Sequence, residues 1–483
     1  MKALAPDLCV PDLCIIGAGS GGLAVAAGAV QMGATIVLVE RGRMGGDCLN
    51  YGCVPSKSLL AAARLASAWR RGAELGIGCD PPRIDFAAVA DSVERVIQRL
   101  APNDSVERFE RLGVHVIRAE ARFVDPRTVR AGDTMIRPRR FVIATGSAPV
   151  VPPIPGLDSV PFFTNETVFA NRTAPSHLIV IGGGPVGIEL AQAHRALGAA
   201  VTVIDAGPLL PHDDPELVAL LARRLAEDGI ALKPSVAVAG VEREGTNLAV
   251  TLATGGKENG GKENERVIGS HLLVAAGRRP NLAALDLSAA GIEANAKGIV
   301  VDARLRTTNR RAFAIGDAAG GPQFTHVALY HAGIVIRNAL FRLPARVDYR
   351  ALPWVTYTDP ELAQAGQSEA SAREAGPVQV LRWSFADNDR AHTERDTSGE
   401  MKIITGRRGR ILGATILGAA AGDLILPWAL AIAQRLKIGA MANLIVPYPT
   451  RGEAGKRAAG SFYTPSLFAP RTRRLVRLLA RFG

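Results

Sequence analysis

Two cysteines with four residues between them, Cys48 and Cys53, lie in the stretch Gly45-Gly46-Asp47-Cys48-Leu49-Asn50-Tyr51-Gly52-Cys53-Val54-Pro55-Ser56-Lys57. Two thiols at close range store two electrons as a disulfide, hold a soft metal ion, or fill core space. Zinc pairs favour two intervening residues and need a second Cys or His pair, which is missing here. Core filling would leave the flanking motifs without a purpose. Gly45 and Gly46 lead into an apolar helical run (Leu59, Leu60, Ala63, Leu65, Ala66), so the pair sits near a helix N-terminus, where a thiolate is stabilised. In a regular helix, residues five apart have Cα atoms about 8.6 Å from each other, beyond the roughly 7 Å reach of a disulfide. Gly52 and Pro55 offer the distortion that closes this gap. The chemistry expected is that of a redox-active disulfide.

The elements that must position the pair are legible on both sides of it. Leu13-Cys14-Ile15-Ile16 reads as a buried strand, Gly17-Ala18-Gly19-Ser20-Gly21-Gly22 as a turn into a helix, and Thr35–Val39 as a second strand ending at Glu40. This is a dinucleotide fingerprint. Gly17 makes the turn, Gly19 admits a pyrophosphate, Gly22 allows close helix–strand packing, and Glu40 holds a ribose hydroxyl. One such pattern is weak on its own, because glycine-rich turns are common. Here it recurs: Leu178–Ile181, then Gly182-Gly183-Gly184-Pro185-Val186-Gly187, then Val201–Ile204 ending at Asp205. Gly182, Gly184 and Gly187 take the duties of Gly17, Gly19 and Gly22. Two complete units imply two dinucleotides. The acid at 205, with no Arg just after it, favours NAD over NADP, since it would repel a 2′-phosphate.

Two dinucleotide units joined to a Cys pair resemble the class I pyridine nucleotide–disulfide oxidoreductases, which include dihydrolipoamide dehydrogenase, glutathione reductase and mercuric reductase. The resemblance runs from about residue 10 to 465 and is carried by further motifs in order. They are Ala144-Thr145-Gly146, Gly277-Arg278-Arg279-Pro280-Asn281, Thr308 through Phe313-Ala314-Ile315-Gly316-Asp317, and Tyr357-Thr358-Asp359-Pro360-Glu361-Leu362-Ala363. The resemblance implies an α/β fold of two Rossmann-like domains, for FAD and NAD, plus an α+β C-terminal dimerisation domain. It implies FAD contacts at Gly17, Gly19, Gly22, Glu40, Gly46, Lys57, Thr145, Gly146, Asp317 and Thr325, with Asp317 holding the ribityl chain. NAD contacts are implied at Gly182, Gly184, Gly187, Asp205, Gly277 and Arg278. Lys57 and Glu189 would form an ion pair beside the flavin. Cys53 would face the flavin, and Cys48 would be the interchange thiol that meets the acceptor. The expected organisation is FAD segments at 1–150 and 283–350, an NAD domain at 151–282, an interface domain at 351–467 and a tail at 468–483. Strands are expected in the interface domain at 378–385, 401–405 and 411–417, with helices after them.

One position departs from the disulfide reductases. Their interface domain ends in His-Pro-Thr-x-x-Glu, where the His, oriented by the Glu, relays protons. This chain reads Tyr448-Pro449-Thr450-Arg451-Gly452-Glu453. A phenol near pKa 10 is a poor base at neutral pH, and losing positioned acid–base help typically costs about 10²–10⁴-fold. Mercuric reductases also carry Tyr after Pro, as in Pro447-Tyr448, but their tail holds vicinal cysteines, and this chain has no Cys after Cys79. The expected function is therefore passage of hydride from NADH through FAD to Cys48–Cys53 and on to an acceptor. A disulfide, a thiol-bound metal ion and a quinone stay open as acceptors. Mercuric-reductase-like and dihydrolipoyl dehydrogenase activities stay open with them. A flavin-bearing electron-transfer or structural subunit is the competitor from another class, and the intact Cys pair argues against it.

Global numbers set limits. A chain of 483 residues is too long for one core and suits three domains, and 48% apolar content with 51 glycines fits a large α/β protein. Segment 13–39 carries no charge, yet its glycines and strand–turn–helix order argue against a membrane span. Lys2 followed by Asp7 and Asp12 makes a poor signal peptide, and five cysteines make no structural disulfide framework, so the cytoplasm is expected, while the family resemblance implies a homodimer. Cys9 and Cys14 repeat the spacing of the redox pair, but Cys14 falls inside the first strand and reads as core. Cys79 reads as a surface or core thiol. Tandem Gly-Gly-Lys-Glu-Asn copies at 255–264 read as a polar hairpin tip. No metal-ligand constellation is present. Residues 451–483 carry eight Lys/Arg against one acid, +7 of the chain's +12. From Pro470, a helix would put Leu475, Leu478, Leu479 and Phe482 on one face and Arg473, Arg477 and Arg481 on another. Such a helix suits an anionic lipid surface or docking on the partner subunit, and no recognised module supports nucleic-acid binding.

Overall fold

Leu13–Ile16, Ile36–Val39 and Arg140–Ile143 are strands because β-branched and apolar residues fill both of their faces. Leu13 and Ile15 face one core with Val25, Ala29, Ile334 and Val335, while Cys14 and Ile16 face another with Phe123, Phe141 and Ile292. Burial on both sides explains why these runs do not alternate with polar residues. In the computed structural model, which describes residues 8–72, 75–78, 80–253 and 265–482, they form a parallel sheet. Its order is 312–314, 140–143, 13–16, 36–39, 114–117. The helix Ser20–Gln31 follows the first strand, and the helix Thr325–Ala339 lies against it, where a Cβ on Gly28 would come within 2.7 Å of Ile336 Cδ1.

The chain divides into two compact units, residues 1–62, 84–182 and 238–347 in one, and 63–83, 183–237 and 348–483 in the other. The division cuts across the stretch 151–282 that the sequence groups as one domain. In the first unit His177–Ile181 pairs in parallel with His271–Val274. Asn247–Leu252 pairs antiparallel with Arg266–Gly269. The Gly-Gly-Lys-Glu-Asn copies between those last two strands lie outside the described residues, as does Cys79. In the second unit Ala200–Ile204 pairs in parallel with Ile230–Lys233.

The second unit also holds a five-stranded antiparallel sheet in the order 353–356, 361–366, 411–418, 400–405, 379–384. Three of these strands lie where the sequence puts them. Pro353–Thr356 and Glu361–Gly366 were not anticipated, because the intervening Tyr357-Thr358-Asp359-Pro360 reads as a motif and a turn. Trp428, Ile432, Ala454 and Ala458 from the following helices close its core against Ile403, Ile416 and Phe385. Lys402, in a central strand, is buried: its ammonium meets Asp214 at 2.7 Å, Glu369 at 2.8 Å and Glu216 at 3.1 Å. Asp214 caps the helix Pro215–Glu227 as well, accepting from the Glu216 and Leu217 amides. No helix among the described residues is long and apolar enough to cross a membrane. The helix Pro470–Leu479 forms as expected and leaves Leu475, Leu478, Leu479 and Phe482 exposed.

Candidate functional site

The two glycine loops solve one steric problem twice. Gly17 has φ +107° and Gly182 φ +120°, and a Cβ would approach the Ala144 carbonyl oxygen to 2.4 Å and the Ala275 carbonyl oxygen to 2.3 Å. No other residue fits either turn. A Cβ on Gly22 would lie 1.9 Å from the Gly17 carbonyl oxygen, which enforces the close helix–strand contact. Gly187 is buried in the helix Pro185–Ala196.

Gly19 and Gly184 behave differently. Each is the extended N-cap of its helix, with no side-chain cap and no acid in the first turn. A Cβ on Gly184 would meet nothing within 4 Å, and one on Gly19 only the Gly46 Cα at 4.0 Å. The protein's own packing does not require glycine there, whereas free helix N–H groups beside open space suit a pyrophosphate. The acids at the second strands share a further pattern. Glu40 accepts from the Ala18 and Gly42 amides, both at 2.6 Å, and Asp205 from the Gly183 and Gly207 amides, both at 2.6 Å. Each carboxylate is thus fixed against its loop, where a ribose hydroxyl of a bound dinucleotide would approach. The residues present fit two dinucleotides. The Thr145 hydroxyl adds to this, being buried with no hydrogen-bond partner among the described residues.

The thiol pair is built onto the first loop. Gly45 (φ +85°) donates to the Ala18 carbonyl at 2.9 Å, and a Cβ on Gly46 would strike the Gly19 Cα at 2.7 Å. One short helix, Gly46–Asn50, carries Cys48. Tyr51 and Gly52 break it, and Cys53 opens the long helix that ends at Gly72. The break is the distortion that Gly52 suggested, placed before Cys53 and not at Pro55. The two thiols are hydrogen-bonded to each other. The Cys48 hydrogen bond chiefly, with help from Thr325 and Lys57 and against burial and Asp47, lowers the Cys53 pKa to about 6. That same bond and burial push Cys48 up. Thr325 Oγ1 lies 3.5 Å from Cys53 Sγ. At neutral pH the pair is one thiol and one thiolate. Cys14, by contrast, is fully buried in its strand with its thiol pushed up by burial, a core residue.

Around the pair lies a network that sequence reasoning missed. Asp317 accepts from the Ser147 hydroxyl at 2.5 Å, and Ser147 Oγ accepts from Arg278 Nε at 2.8 Å. Arg278 reaches Asp47 at 3.3 Å, and Asn165 donates to the same Asp47 oxygen at 3.1 Å. Arg278, grouped with the NAD residues from its motif, thus has its guanidinium on Asp47, Ser147 and Asp317. Gly146 (φ +64°) and Thr145 offer their carbonyls to Asn281, which binds the Ala144-Thr145-Gly146 turn to the second motif. Gly277 (φ +115°) accepts from the Val150 amide.

The remaining candidates are placed as follows. Glu189 is buried and accepts from the Tyr357 amide at 2.8 Å. Lys57 and Glu189 belong to different compact units. Tyr448 is exposed, and its hydroxyl donates to Asp389 at 2.9 Å. That hydrogen bond raises its pKa further, so the phenol is a donor and not a base. Glu453 is occupied by Arg457, at 2.8 and 3.1 Å. The intervening turn is pinned by Arg451 on Glu394 and Asp396 and by Asn388 on the Thr450 carbonyl.

Comparison with known proteins agrees with this geometry. Residues 11–332 match the model for the pyridine nucleotide-disulphide oxidoreductases, and residues 352–459 match that family's dimerisation domain. The chain is 37% identical over 464 residues to a mercuric reductase of Streptomyces lividans, spanning 93% of this chain and 96% of that one. It is 35% identical over 455 residues to a dihydrolipoyl dehydrogenase of Geobacillus stearothermophilus, spanning 92% and 94%. Among solved structures, LpdA of Mycobacterium tuberculosis superposes with a TM-score of 0.84 at 25% identity, covering 94% of this chain and 99% of that one. The HOCl-induced flavoprotein disulfide reductase RclA of Escherichia coli, as its Cu(II) complex, gives 0.82 at 27%, covering 92% and 98%. Glycine loops of matching geometry, a cysteine pair seated on the first of them and matches along nearly the whole chain converge: this chain belongs to the pyridine nucleotide-disulphide oxidoreductases, FAD-dependent enzymes that work with NAD(P)H, and it carries their dimerisation domain.

Proposed function

We propose that the enzyme is a cytoplasmic member of the family that prefers NADH to NADPH, with Cys48 and Cys53 as its redox pair. The single observation that supports this most is the seating of the two cysteines on successive helices, Gly46–Asn50 and Cys53–Gly72, directly against the first glycine loop. FAD, when bound, would relay a hydride equivalent from the nicotinamide, two electrons and one proton. Those electrons break the Cys48–Cys53 disulfide, and the one proton goes to sulfur, leaving one thiol and one thiolate. The structure's acid–base balance suits that product: Cys48 stays protonated, and Cys53 is the thiolate. Lys57 stabilises Cys53 by its charge. Cys48 would then meet the acceptor. Tyr448, protonated and held by Asp389, offers a hydrogen bond but no base. This favours an acceptor that thiolates ligate directly, a soft metal ion, over a disulfide whose reduction needs proton relay. The 37% identity to a mercuric reductase supports the same choice.

Asp205, fixed by two amides, would repel a 2′-phosphate, so NADH is expected to outperform NADPH. An anaerobic titration with each nucleotide, followed by an acceptor screen, tests both points. A preference for NADPH would overturn the nucleotide reading. Turnover with lipoamide or glutathione disulfide on the order of 10²–10³ s⁻¹, the range of ordinary enzymes, would overturn the acceptor reading.

The tail carries a second, separate proposal. Its exposed Leu475, Leu478, Leu479 and Phe482, flanked by arginines, suit reversible contact with an anionic lipid surface. The protein is expected to sediment with anionic vesicles, to leave them on added salt, and to lose the binding when residues 470–483 are removed, with flavin reduction by NADH intact. If truncation instead dissociates the dimer, the stripe is subunit interface.

A further inference from the structure

Asp47 stands beside Cys48 in the redox stretch, and nothing in the proposed chemistry uses it. Its charge opposes the Cys53 thiolate, whose other neighbours, Cys48, Thr325 and Lys57, favour it. A carboxylate placed there needs a counterweight. Arg278 supplies one at 3.3 Å, and its side chain is mostly buried, 19% exposed. The guanidinium is also anchored by Ser147, through the hydroxyl at 2.8 Å and the carbonyl at 3.0 Å. It lies 3.9 Å from Asp317, whose carboxyl is raised by burial and held down by Ser147 and Arg278. The short strand Arg278–Pro280 fixes the backbone, pairing antiparallel with Ser147–Pro149. One rigid planar cation thus bridges two acids 270 residues apart in sequence, Asp47 on the redox helix and Asp317 on the loop at the end of strand 312–314.

We propose that Arg278 is a positioning residue that ties Asp47 to Asp317, registering the redox helix against the flavin loop and shielding Cys53 from the Asp47 carboxylate. The proposal rests on the reading of Cys53 as the flavin-side thiolate. Lysine would be a partial substitute, because a point charge neutralises Asp47 but cannot hold Ser147 through two parallel contacts. Methionine keeps the volume and removes the charge.

The test uses the FAD-loaded enzyme with Cys48→Ser, so that Cys53 is the thiol at the site. The pH dependence of Cys53 alkylation by iodoacetamide is followed by peptide mass. Added Arg278→Met is expected to raise the midpoint by about one pH unit, which slows alkylation at pH 6 roughly fivefold. Arg278→Lys is expected to recover most of that rate. Asp47→Asn in the methionine background is expected to restore it, since the unshielded charge is then gone. A midpoint unmoved by Arg278→Met, or moved equally with and without Asp47, overturns the proposal. The long-wavelength absorbance of the same protein reads separately on the underlying assignment: its absence in Cys48→Ser would remove Cys53 from the flavin while the alkylation series still decides the role of Arg278.

Discussion

Cys53→Ser is expected to reduce NADH-driven turnover by at least about 10³-fold and to erase the long-wavelength thiolate–flavin absorbance, while Cys48→Ser abolishes turnover as fully but leaves that absorbance standing. The asymmetry is the informative part. Two structural cysteines would behave alike, and so would two metal ligands. Here the Cys53 thiol is lowered to about 6 by its hydrogen bond from Cys48, with Thr325 and Lys57 assisting. The band of the Cys48→Ser protein should therefore fade as pH falls and the thiolate takes up its proton. Serine at 48 keeps a donor for Cys53, so the thiolate survives the exchange. Anaerobic spectra of both variants at several pH values make the comparison. If neither substitution changes the spectrum or the turnover, the pair is structural and the functional reading fails with it.

Lys402→Met should cost about 3–5 kcal/mol of stability, the range for breaking a buried ion pair from one side. The lower end is favoured because Glu216 and Glu369 keep contact with water, whereas Asp214 is as buried as Lys402 itself. Loss of the ammonium strands Asp214, which must still cap the helix Pro215–Glu227. The pH dependence has a definite sign. Glu369 is lowered chiefly by its hydrogen bond to Lys402, and Glu216 by Arg382 and then Lys402. Depressed carboxylates contribute stability above their unfolded pKa near 4.3 and lose it as pH falls through the folded value. For Lys402, burial opposes the charge but three carboxylates outweigh it, so its pKa is raised. That contribution is present below about pH 10.4 and lost as pH rises through the folded value. Denaturant unfolding of wild type and variant should then differ by a constant amount between about pH 5 and 10, with the gap closing below about pH 4. A gap that widens in acid would show that the carboxylates are not the partners that matter.

What the sequence determined by itself was set by local sterics. A glycine that must take φ above +100° beneath a carbonyl, an extended glycine at an uncapped helix start, and an acid at the end of the next strand are each bound to their neighbours in the chain. Gly17, Gly19 and Glu40, and again Gly182, Gly184 and Asp205, are therefore readable without coordinates. The thiol pair is readable for the same reason, although the break between its two helices, at Tyr51 and Gly52, becomes visible only once Cys53 is seen to open a helix. Uninterrupted apolar strands marked the parallel sheet, but the Pro353–Thr356 and Glu361–Gly366 strands gave no comparable period. Tertiary structure alone decided the charges. Asp47 and Arg278 are separated by 231 positions, Tyr448 and Asp389 by 59, and Lys402 and Asp214 by 188. A single polar contact across such distances imposes no spacing on either residue. Each charge reads from the sequence as a solvated side chain or a motif letter. Only the packing of sheets and helices brings these partners within reach, around a buried Lys402 and a mostly buried Arg278.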